Sequence, residues 1–426
     1  MITNNNDEKY TSSSEHVSIT EETPDLSPPD GGLLAWLQVV GSFVLILCTW
    51  GLTNSFGAYQ TYYETGELLS QSSSNISWVG SIQAYILMFV GVLTGPLFDK
   101  GHFRALLLAG SFLVVFGIMM NSLSTKYYQV MLSQGVCMGI GMGFLWVPSL
   151  GICVSYFQKY RSIAITLAAS GGSVGGVIFP IIIRRLIPKI GFAWTCRVIG
   201  LSCFVTLIIP IFIMKQRELP ETKRKILMLS SFKEPAYLFL TIGLFLSFMG
   251  IYIPFYYISS YANRIAHTNI DLSYYLISVI NASLSGRMVP NFFADRLGPI
   301  NVMIVASFIS GILALAWIRI KNTPGLIVFS VLYGISSGTV VSLPPSAIGS
   351  ISNNLSEIGS RLGTSFFFAA FGTLIGNPVA GKLVDIESGE FYKGQVWSGV
   401  LILSSTVFLS LAQYSKRTGL TNSNHH

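Results

Sequence analysis

Charged residues are scarce in this chain of 426 residues: Asp, Glu, Lys and Arg make up 11% of it, whereas hydrophobic residues make up 51%. The mean hydropathy is +0.59. A soluble domain carries about 25% charged residues, so this supply cannot cover a water-exposed surface. The shortage of charge excludes an ordinary soluble protein and favours one whose surface faces lipid.

Cysteine is also scarce, and its five positions show no paired spacing. They lie in or beside apolar runs, at Cys48, Cys137, Cys153, Cys196 and Cys203. Such positions indicate packing side chains rather than a disulfide framework or a zinc site. The apolar runs also lack a carboxylate pair, a histidine cluster and a nucleophile with an evident base. We therefore expect no enzyme activity, no cofactor and no bound metal.

The net charge of +7 comes from cations scattered through the short segments between apolar runs. This scatter argues against a nucleic-acid partner and is typical of the positive-inside rule. Lysine and arginine are more numerous in the two tails and the even-numbered loops than in the odd-numbered loops. We therefore expect both termini in the cytoplasm, with the protein in the plasma membrane or, as the alternative, the vacuolar membrane.

Twelve apolar runs of about twenty residues are long enough to cross a hydrocarbon core of roughly 30 Å as helices. Helices satisfy their own backbone polar groups, for which lipid offers no partners. The sequence predicts an all-α polytopic membrane protein with twelve transmembrane helices in two pseudo-symmetric six-helix bundles. The expected spans are 34–58, 78–98, 103–123, 127–151, 161–186, 191–214, 235–258, 272–294, 299–320, 325–345, 360–383 and 395–414.

The domain organisation follows from these spans. We expect a disordered cytoplasmic tail, a six-helix bundle, a basic cytoplasmic linker, a second six-helix bundle and a cytoplasmic tail. Their respective limits are 1–33, 34–214, 215–233, 234–414 and 415–426. The first segment is rich in Ser, Thr, Asn and Glu, a composition that cannot build an apolar core.

The two halves repeat each other. The loop Asp99-Lys100-Gly101 in the first half is matched by Asp295-Arg296-Leu297-Gly298 in the second, and each loop joins two apolar spans. Three further positions keep nearly the same offset: Gly139, Gly143 and Pro148 are echoed by Gly334, Gly338 and Pro344. Such a repeat is typical of a transporter with a pathway between two half-bundles. The glycines and prolines serve either close helix packing or bending, and the sequence leaves both open.

Several motifs resemble a known family. Twelve spans, a central loop and Gly95-x-x-x-Asp99-Lys100 are similar to the major facilitator superfamily. Asp30-Gly31-Gly32 with Trp36 resembles the opening motif of monocarboxylate porters, and the stretch 156–161 (YFQKYR) resembles their span-5 motif. The segments 54–57 and 286–295 look most like the fungal branch, which includes riboflavin uptake proteins and exporters of secondary metabolites.

The resemblance places Arg287 on the span-8 arginine thought to receive a substrate carboxylate. A planar guanidinium suits a carboxylate because two N–H groups can bind it in parallel. A gate arginine bound to a carbonyl or a loop carboxylate is the other interpretation. The family's usual acid and lysine for proton coupling are replaced by Ser283 and Asn54. We therefore expect facilitated diffusion, or coupling through a different site.

Amides and aromatics near mid-membrane are further candidates for substrate contact. Amides bind a polar solute without adding charge, or else bond one helix to another; they are Asn54, Gln83, Asn281 and Asn377. Aromatic rings could stack on a flat solute, or simply pack; they are Trp50, Tyr85, Trp146, Tyr256, Tyr257, Phe367 and Phe371. From these sets and the arginine we select as substrate-binding residues Arg287, Asn54, Asn281, Tyr257, Asn377 and Phe371.

Charges at the ends of spans are candidates for a cytoplasmic gate that separates when the halves rock, although solvated loops are the alternative. They are Asp99, Lys100, Arg104, Arg161, Asp295, Arg296 and Arg361. Asp30 is expected to cap span 1 or to couple it to the rest of the bundle.

The resemblance implies a transporter that moves a small organic anion or planar metabolite by alternating access, with a monomer sufficient. Its partners would be the small-molecule substrate and the lipid bilayer. Two alternatives are riboflavin uptake by facilitated diffusion and efflux of a secondary metabolite from a biosynthetic pathway. A membrane sensor that binds a ligand without transporting it is the alternative from a different class.

Overall fold

The structure is a computed structural model that describes residues 30–65, 71–217, 227–268, 270–283, 293–294, 296–352, 357–386 and 388–418. Arg287 and Asp295 lie outside these residues, as do both expected tails apart from a few residues next to the bundle. Apart from one isolated antiparallel bridge between Asp385 and Glu390, the described residues form helices, turns and loops.

Eleven helical segments, which we number α1 to α12 because one of them contains two spans, make up the bundle. They are α1 Gly32–Glu64, α2 Ser73–Asp99, α3 Phe103–Asn121, α4 Tyr127–Tyr156, α5 and α6 within Arg161–Ile213, α7 Pro235–Arg264, α8 Ile270–Ser283, α9 Pro299–Arg319, α10 Thr323–Ile351, α11 Ile358–Leu383 and α12 Tyr392–Arg417. A short 3-10 helix, Leu229–Lys233, precedes α7.

Ten helices within the described residues are long and apolar enough to cross a membrane. One of them, Ile163–Ile213, is 51 residues long, far more than the roughly 20 that span a bilayer. Its backbone turns at Gly191, where φ is +75° and ψ is 170°. A positive φ is open to glycine at little cost, so this residue divides the segment into α5 (161–190) and α6 (192–213). Division of this segment raises the ten helices to eleven spans, and α8, which is shorter, is the twelfth. This number confirms the expected fold class.

Four helices at the centre are irregular. A π-helical stretch interrupts α1 at Leu47–Gly51 and another interrupts α4 at Met131–Met138. The α-helical hydrogen bonding of α7 breaks at Tyr252, and that of α10 breaks at Leu343. These are the first and fourth helices of each half, so the halves repeat their irregularities as well as their loops. π-Bulges inside helices are often found at functional sites.

Proline explains the break in α7. Pro254 has no N–H to give to the carbonyl of Gly250, and lipid cannot replace it. The Ser398 hydroxyl of α12 donates to that carbonyl at 2.9 Å, and Tyr333 of α10 donates to the next carbonyl, Ile251, at 2.8 Å. The freed backbone acceptors are therefore satisfied by neighbouring helices.

Glycine allows the helices to approach closely at equivalent places in the two halves. In the first half, a Cβ on Gly51 of α1 would lie 2.7 Å from the Cα of Gly175 in α5. In the second half, a Cβ on Gly372 or Gly376 of α11 would overlap backbone carbonyls of α7. The glycines after the YFQKYR stretch therefore serve close packing.

The helices of residues 32–213 pack mainly on one another, and those of residues 235–417 do the same. Among the described residues, the two sets meet mainly through α1 with α7, α2 with α11 and α5 with α8, and to a smaller extent through α1 with α8. The proposed limits of the tails and of the linker stay a prediction.

Candidate transport pathway

The two ends of the bundle can be told apart by their contacts. On the side that we call terminal, Asp30 binds the loop between α4 and α5, and Gln216 binds the end of α2 at Phe98 and the start of α3 at Phe103. On the opposite side, which we call distal, Glu64 ends α1 and Thr268 meets Thr323 at the start of α10.

The distal side is sealed by α1 and α7. Every residue from 51 to 61 and from 247 to 262 is buried, so these stretches are enclosed on all faces. Gly57 lies directly against the carbonyl of Phe255, and the rings of Phe56 and Tyr256 have centroids 5.0 Å apart. We call the contact between residues 55–61 and 252–262, with the polar contacts described next, the distal seal.

Polar contacts reinforce the distal seal across the two halves. The Ser74 hydroxyl of α2 donates to the carbonyl of Pro378 in α11 at 2.9 Å. The Ser260 hydroxyl of α7 donates to Glu64 at 2.6 Å. Asn281 of α8 donates a longer bond, 3.4 Å, to the carbonyl of Asn54 in α1. These three bonds join α2 with α11, α1 with α7 and α1 with α8, so each of these pairs has a polar contact in the seal or beside it.

The distal seal also contains buried polar atoms without a partner among the described residues. They are Gln60 Oε1, Ser81 Oγ, Asn281 Oδ1 and Asn377 Oδ1. Each buried group of this kind costs about 1–3 kcal/mol relative to its hydrated state. Water entering an opened seal would satisfy them, so the sealed state is stabilised by packing and destabilised by these oxygens. The balance suits a contact that has to separate.

An aromatic layer lies between the distal seal and the terminal side. Trp50 of α1 contacts Trp146 of α4 with centroids 5.4 Å apart, and Trp146 contacts Phe366 of α11 at 5.5 Å. Phe366 in turn lies 6.2 Å from Phe248 of α7. We call these four rings the aromatic layer. Because Trp146 and Phe366 belong to different halves, the layer crosses the centre of the bundle.

A second group of rings joins α2 to α11 at the side of the bundle. Tyr85 and Phe89 of α2 contact Phe371 and Phe367 of α11 at 5.1 and 5.5 Å. Phe371 therefore lies in this contact between halves.

A groove of about 430 Å³ lies away from these rings, between α7, α11 and the 3-10 helix. Its lining is apolar except for one hydroxyl and consists of Phe232, Leu238, Thr241, Ile242, Phe245 and Phe368. It contains no residue of the aromatic layer, so its position does not coincide with the axis between the halves.

The predicted substrate-binding residues lie in different parts of the structure. Asn54 keeps 8% of its surface exposed and its amide makes no hydrogen bond among the described residues. Asn281, Asn377 and Tyr257 lie within the distal seal, where Tyr257 donates to the carbonyl of Asn377 at 3.3 Å. Arg287 lies outside the described residues, so its role stays a prediction.

The predicted gate residues do not all lie in one place. Lys100, Arg104, Arg161 and Arg296 are exposed on the terminal side. Asp99 is half-buried next to them in the chain.

Arg361 differs from this gate set because it is buried within the second half. Its two terminal nitrogens bind both carboxylate oxygens of Glu234, the residue before α7, and one of them also approaches Glu357. Tyr237 of α7 donates to the carbonyl of Arg361 at 2.7 Å. This arginine therefore fastens the start of α7 to the start of α11.

Asp30 does not cap α1. Gly31 stands at that position and no side chain caps the helix. The Oδ1 atom of Asp30 instead accepts hydrogen bonds from the backbone N–H groups of Gln158 and Lys159, at 2.5 and 2.7 Å. Trp36 contacts Phe157 in the same place, with ring centroids 5.1 Å apart. The two stretches that resemble monocarboxylate porters thus bind each other.

Sequence reasoning missed Glu64, Glu234 and Phe366. The predicted span 1 ends at 58 and so leaves Glu64 outside it, whereas the helix continues through Tyr63 to Glu64. The spacing of Gln60 and Glu64, four residues apart, was the available signal for that continuation. Nothing in the spacing of Phe366 distinguishes it from its neighbours Phe367 and Phe368.

The pathway and the fold define a membrane transporter, and comparison with known proteins agrees. The model of the Major Facilitator Superfamily matches residues 39–292. The MFS-type transporter dbaD of Emericella nidulans is 41% identical over 385 residues, which cover 90% of this chain and 87% of that protein. This chain belongs to the Major Facilitator Superfamily.

Two other relatives carry more specific names. The aspyridones efflux protein apdF of Emericella nidulans is 36% identical over 398 residues, covering 93% of this chain and 81% of that protein. The agnestins efflux protein AgnL12 of Paecilomyces divaricatus is 37% identical over 397 residues, covering 91% of this chain and 89% of that protein.

Solved structures support the fold. The peptide transporter POT in complex with sulfate superposes with a TM-score of 0.72 at 13% identity, covering 93% of this chain and 98% of that chain. A bacterial homologue of the human lysosomal transporter Spinster superposes with a TM-score of 0.67 at 13% identity, covering 94% of this chain and 100% of that chain.

Proposed function

We propose that this protein exports a small aromatic secondary metabolite by alternating access. The observation that carries the proposal is the aromatic layer, in which Trp146 of one half contacts Phe366 of the other. A flat solute could insert between these rings and contact both halves at once. Aromatic pairs contribute about 0.5–1.5 kcal/mol beyond the area that they bury, so such insertion replaces one favourable contact by two.

The chemistry of the layer favours a weakly charged solute. The four rings offer no formal charge, and Asn54 adds an amide one turn beyond Trp50 toward the distal seal. An amide can both donate to and accept from a hydroxyl or carbonyl. Two relatives that are named as efflux proteins support export over uptake.

We take the terminal side to be cytoplasmic because lysine and arginine are more numerous there. With the distal side sealed, solute would enter from the cytoplasm, reach the aromatic layer and leave when the seal separates. The membrane concerned is proposed to be the plasma membrane.

The proposal is tested by expressing the protein in a strain that makes aromatic polyketides and measuring the ratio of secreted to intracellular compound. We expect Trp146→Leu to lower that ratio by about tenfold, which corresponds to roughly 1.4 kcal/mol. Phe212→Leu on the outer face of α6, where the ring is 77% exposed, is the matched control and should export normally.

An unchanged ratio in correctly inserted Trp146→Leu would contradict the proposed site. Accumulation inside the cell rather than outside would contradict the direction of transport. Saturable binding of an aromatic compound without any movement across the membrane would instead indicate a sensor.

A further inference from the structure

Glu64 places a titratable group at the contact that opens and closes. Its Oε2 atom accepts a hydrogen bond from Ser260 of the other half at 2.6 Å, and its Oε1 atom accepts one from Gln60 Nε2 at 2.5 Å. The side chain is half-buried at the rim of the distal seal. A change in its charge therefore acts directly on a bond between α1 and α7.

No ion pair formed among the described residues involves Glu64. Gln60 also donates to the carbonyl of Ser73 at the start of α2, which presents no titratable group there. The titratable or charged side chains toward the distal ends of the surrounding helices are Tyr59, Tyr62 and Tyr63 of α1, Arg184, Arg185 and Lys189 of α5, Cys196 of α6, Tyr256, Tyr257, Tyr261 and Arg264 of α7, Tyr275 of α8 and Lys382 of α11. Arg185 donates from its Nε atom to the Tyr275 hydroxyl at 3.0 Å. Of these, Tyr63 donates to Gln134 and Tyr257 to Asn377, whereas Arg264 is exposed.

Sealing removes water from this carboxylate without giving it a cation. A negative charge that is desolvated and unpaired is costly, whereas the neutral acid is not. A serine hydroxyl both donates and accepts, so the Ser260 contact survives when Glu64 gains a proton. Proton binding therefore favours the sealed state, and loss of the proton favours the open, hydrated state.

We propose that Glu64 is a proton-binding site that couples closing of the distal side to proton uptake. The inference rests on the proposed function, since coupling has meaning only for a protein that alternates between its two sides. Only a proton binds, and no bond other than O–H is formed. In an exporter, a proton taken up after the cargo leaves would return the protein to the terminal-open state.

The test needs no substrate. Spin labels are placed at Lys126→Cys and Lys321→Cys, two exposed positions on distal loops of opposite halves, in a Cys137→Ala background. Distance distributions in lipid nanodiscs then report the closed and open populations. We expect the closed-to-open ratio to rise roughly tenfold between about pH 8 and about pH 5, because the closed state binds the proton more tightly.

Glu64→Gln should remain mostly closed at both pH values, and Ser260→Ala should shift the equilibrium toward open. The matched control is Glu390→Gln, an exposed acid on a distal loop, which should respond to pH as the parent does. A pH response that persists in Glu64→Gln, or is missing from the parent, overturns the proposal. Failure of export alone leaves this measurement unchanged, so the two proposals are tested separately.

Discussion

Asp30 and Lys159 are joined by a hydrogen bond of 2.7 Å between the Asp30 carboxylate and the Lys159 backbone N–H. The bond connects the start of α1 to the loop before α5, next to a second bond from Gln158. Asp30 adopts a φ of +49°, a left-handed conformation that Asp tolerates better than most residues.

We expect Asp30→Ala to lower the free energy of unfolding by about 1–2 kcal/mol, because two backbone donors lose a charged acceptor at a solvent-exposed site. Asp30→Asn keeps one acceptor oxygen and should lose about half as much. Thermal unfolding in detergent, followed by tryptophan fluorescence, measures both. Equal stability of Asp30→Ala and the parent would show that the contact is dispensable.

Arg361 and Glu234 should be energetically coupled. We expect Arg361→Lys to be destabilising, because an ammonium cannot bind both carboxylate oxygens in the fork geometry of a guanidinium. A double-mutant cycle with Arg361→Gln and Glu234→Gln should give a coupling energy of about 1–3 kcal/mol. The exposed pair Lys393 and Glu390 is the control and should give a clearly smaller coupling energy, because solvent screens it. Similar coupling energies for the two pairs would contradict a structural role for the contact between Arg361 and Glu234.

Asn377 should weaken the distal seal. Its Oδ1 atom is buried and has no hydrogen-bond partner among the described residues. Asn377→Leu removes that unsatisfied acceptor, so we expect about a tenfold shift toward the sealed state and slower transport. Labelling of Lys126→Cys and Lys321→Cys pairs by spin probes measures the shift. A more open population in the leucine variant would show that the amide supports the seal.

Gly376 should be far less tolerant of substitution than Gly95. A Cβ at Gly376 would overlap the backbone of Met249, whereas a Cβ at Gly95 meets nothing within 4 Å. We expect Gly376→Ala to destabilise the protein by about 2 kcal/mol or more through overpacking. Gly95→Ala should be neutral or stabilising, because alanine favours the helix. Thermal stability in the same detergent compares the two, and equal effects would contradict the close approach of α7 and α11.

Cysteines that replace Lys126 and Lys100 should be accessible to a thiol reagent from opposite sides of the membrane. With Cys137 replaced by Ala, we expect Lys126→Cys to react with an impermeant maleimide on intact cells. Lys100→Cys should react only after the cells are permeabilised, as the positive-inside rule requires. The reverse pattern would place the terminal side outside.

Much of the fold could be predicted because lipid imposes it locally. Apolar runs of sufficient length must form helices, and the repeated loops required two similar halves. The hairpin at Gly191 was also visible, as a short gap between two expected spans. The ends of helices were not visible, because a membrane helix continues past the apolar region wherever neighbouring helices cover it, as α1 does through Glu64.

The candidate site was predicted only in its residue types. Aromatics and amides were expected near the centre, and Trp50, Trp146 and Asn54 do lie there. Tyr257, Asn281 and Asn377 instead belong to the distal seal, and Phe366 rather than Phe371 completes the aromatic layer. Rotation of a helix about its axis decides this, and apolar residues around a membrane helix carry little information about which face is turned inward.

By itself, the sequence determined that the chain spans a membrane as two related sets of helices, because length, hydropathy and repetition are properties of the chain alone. Only the tertiary structure decided that Arg361 is fastened to Glu234, that Asp30 binds the loop before α5, and that Glu64 faces Ser260 across the seal. The physical reason is that each of these contacts joins residues far apart in the chain, and it exists only after helix packing has brought their ends together.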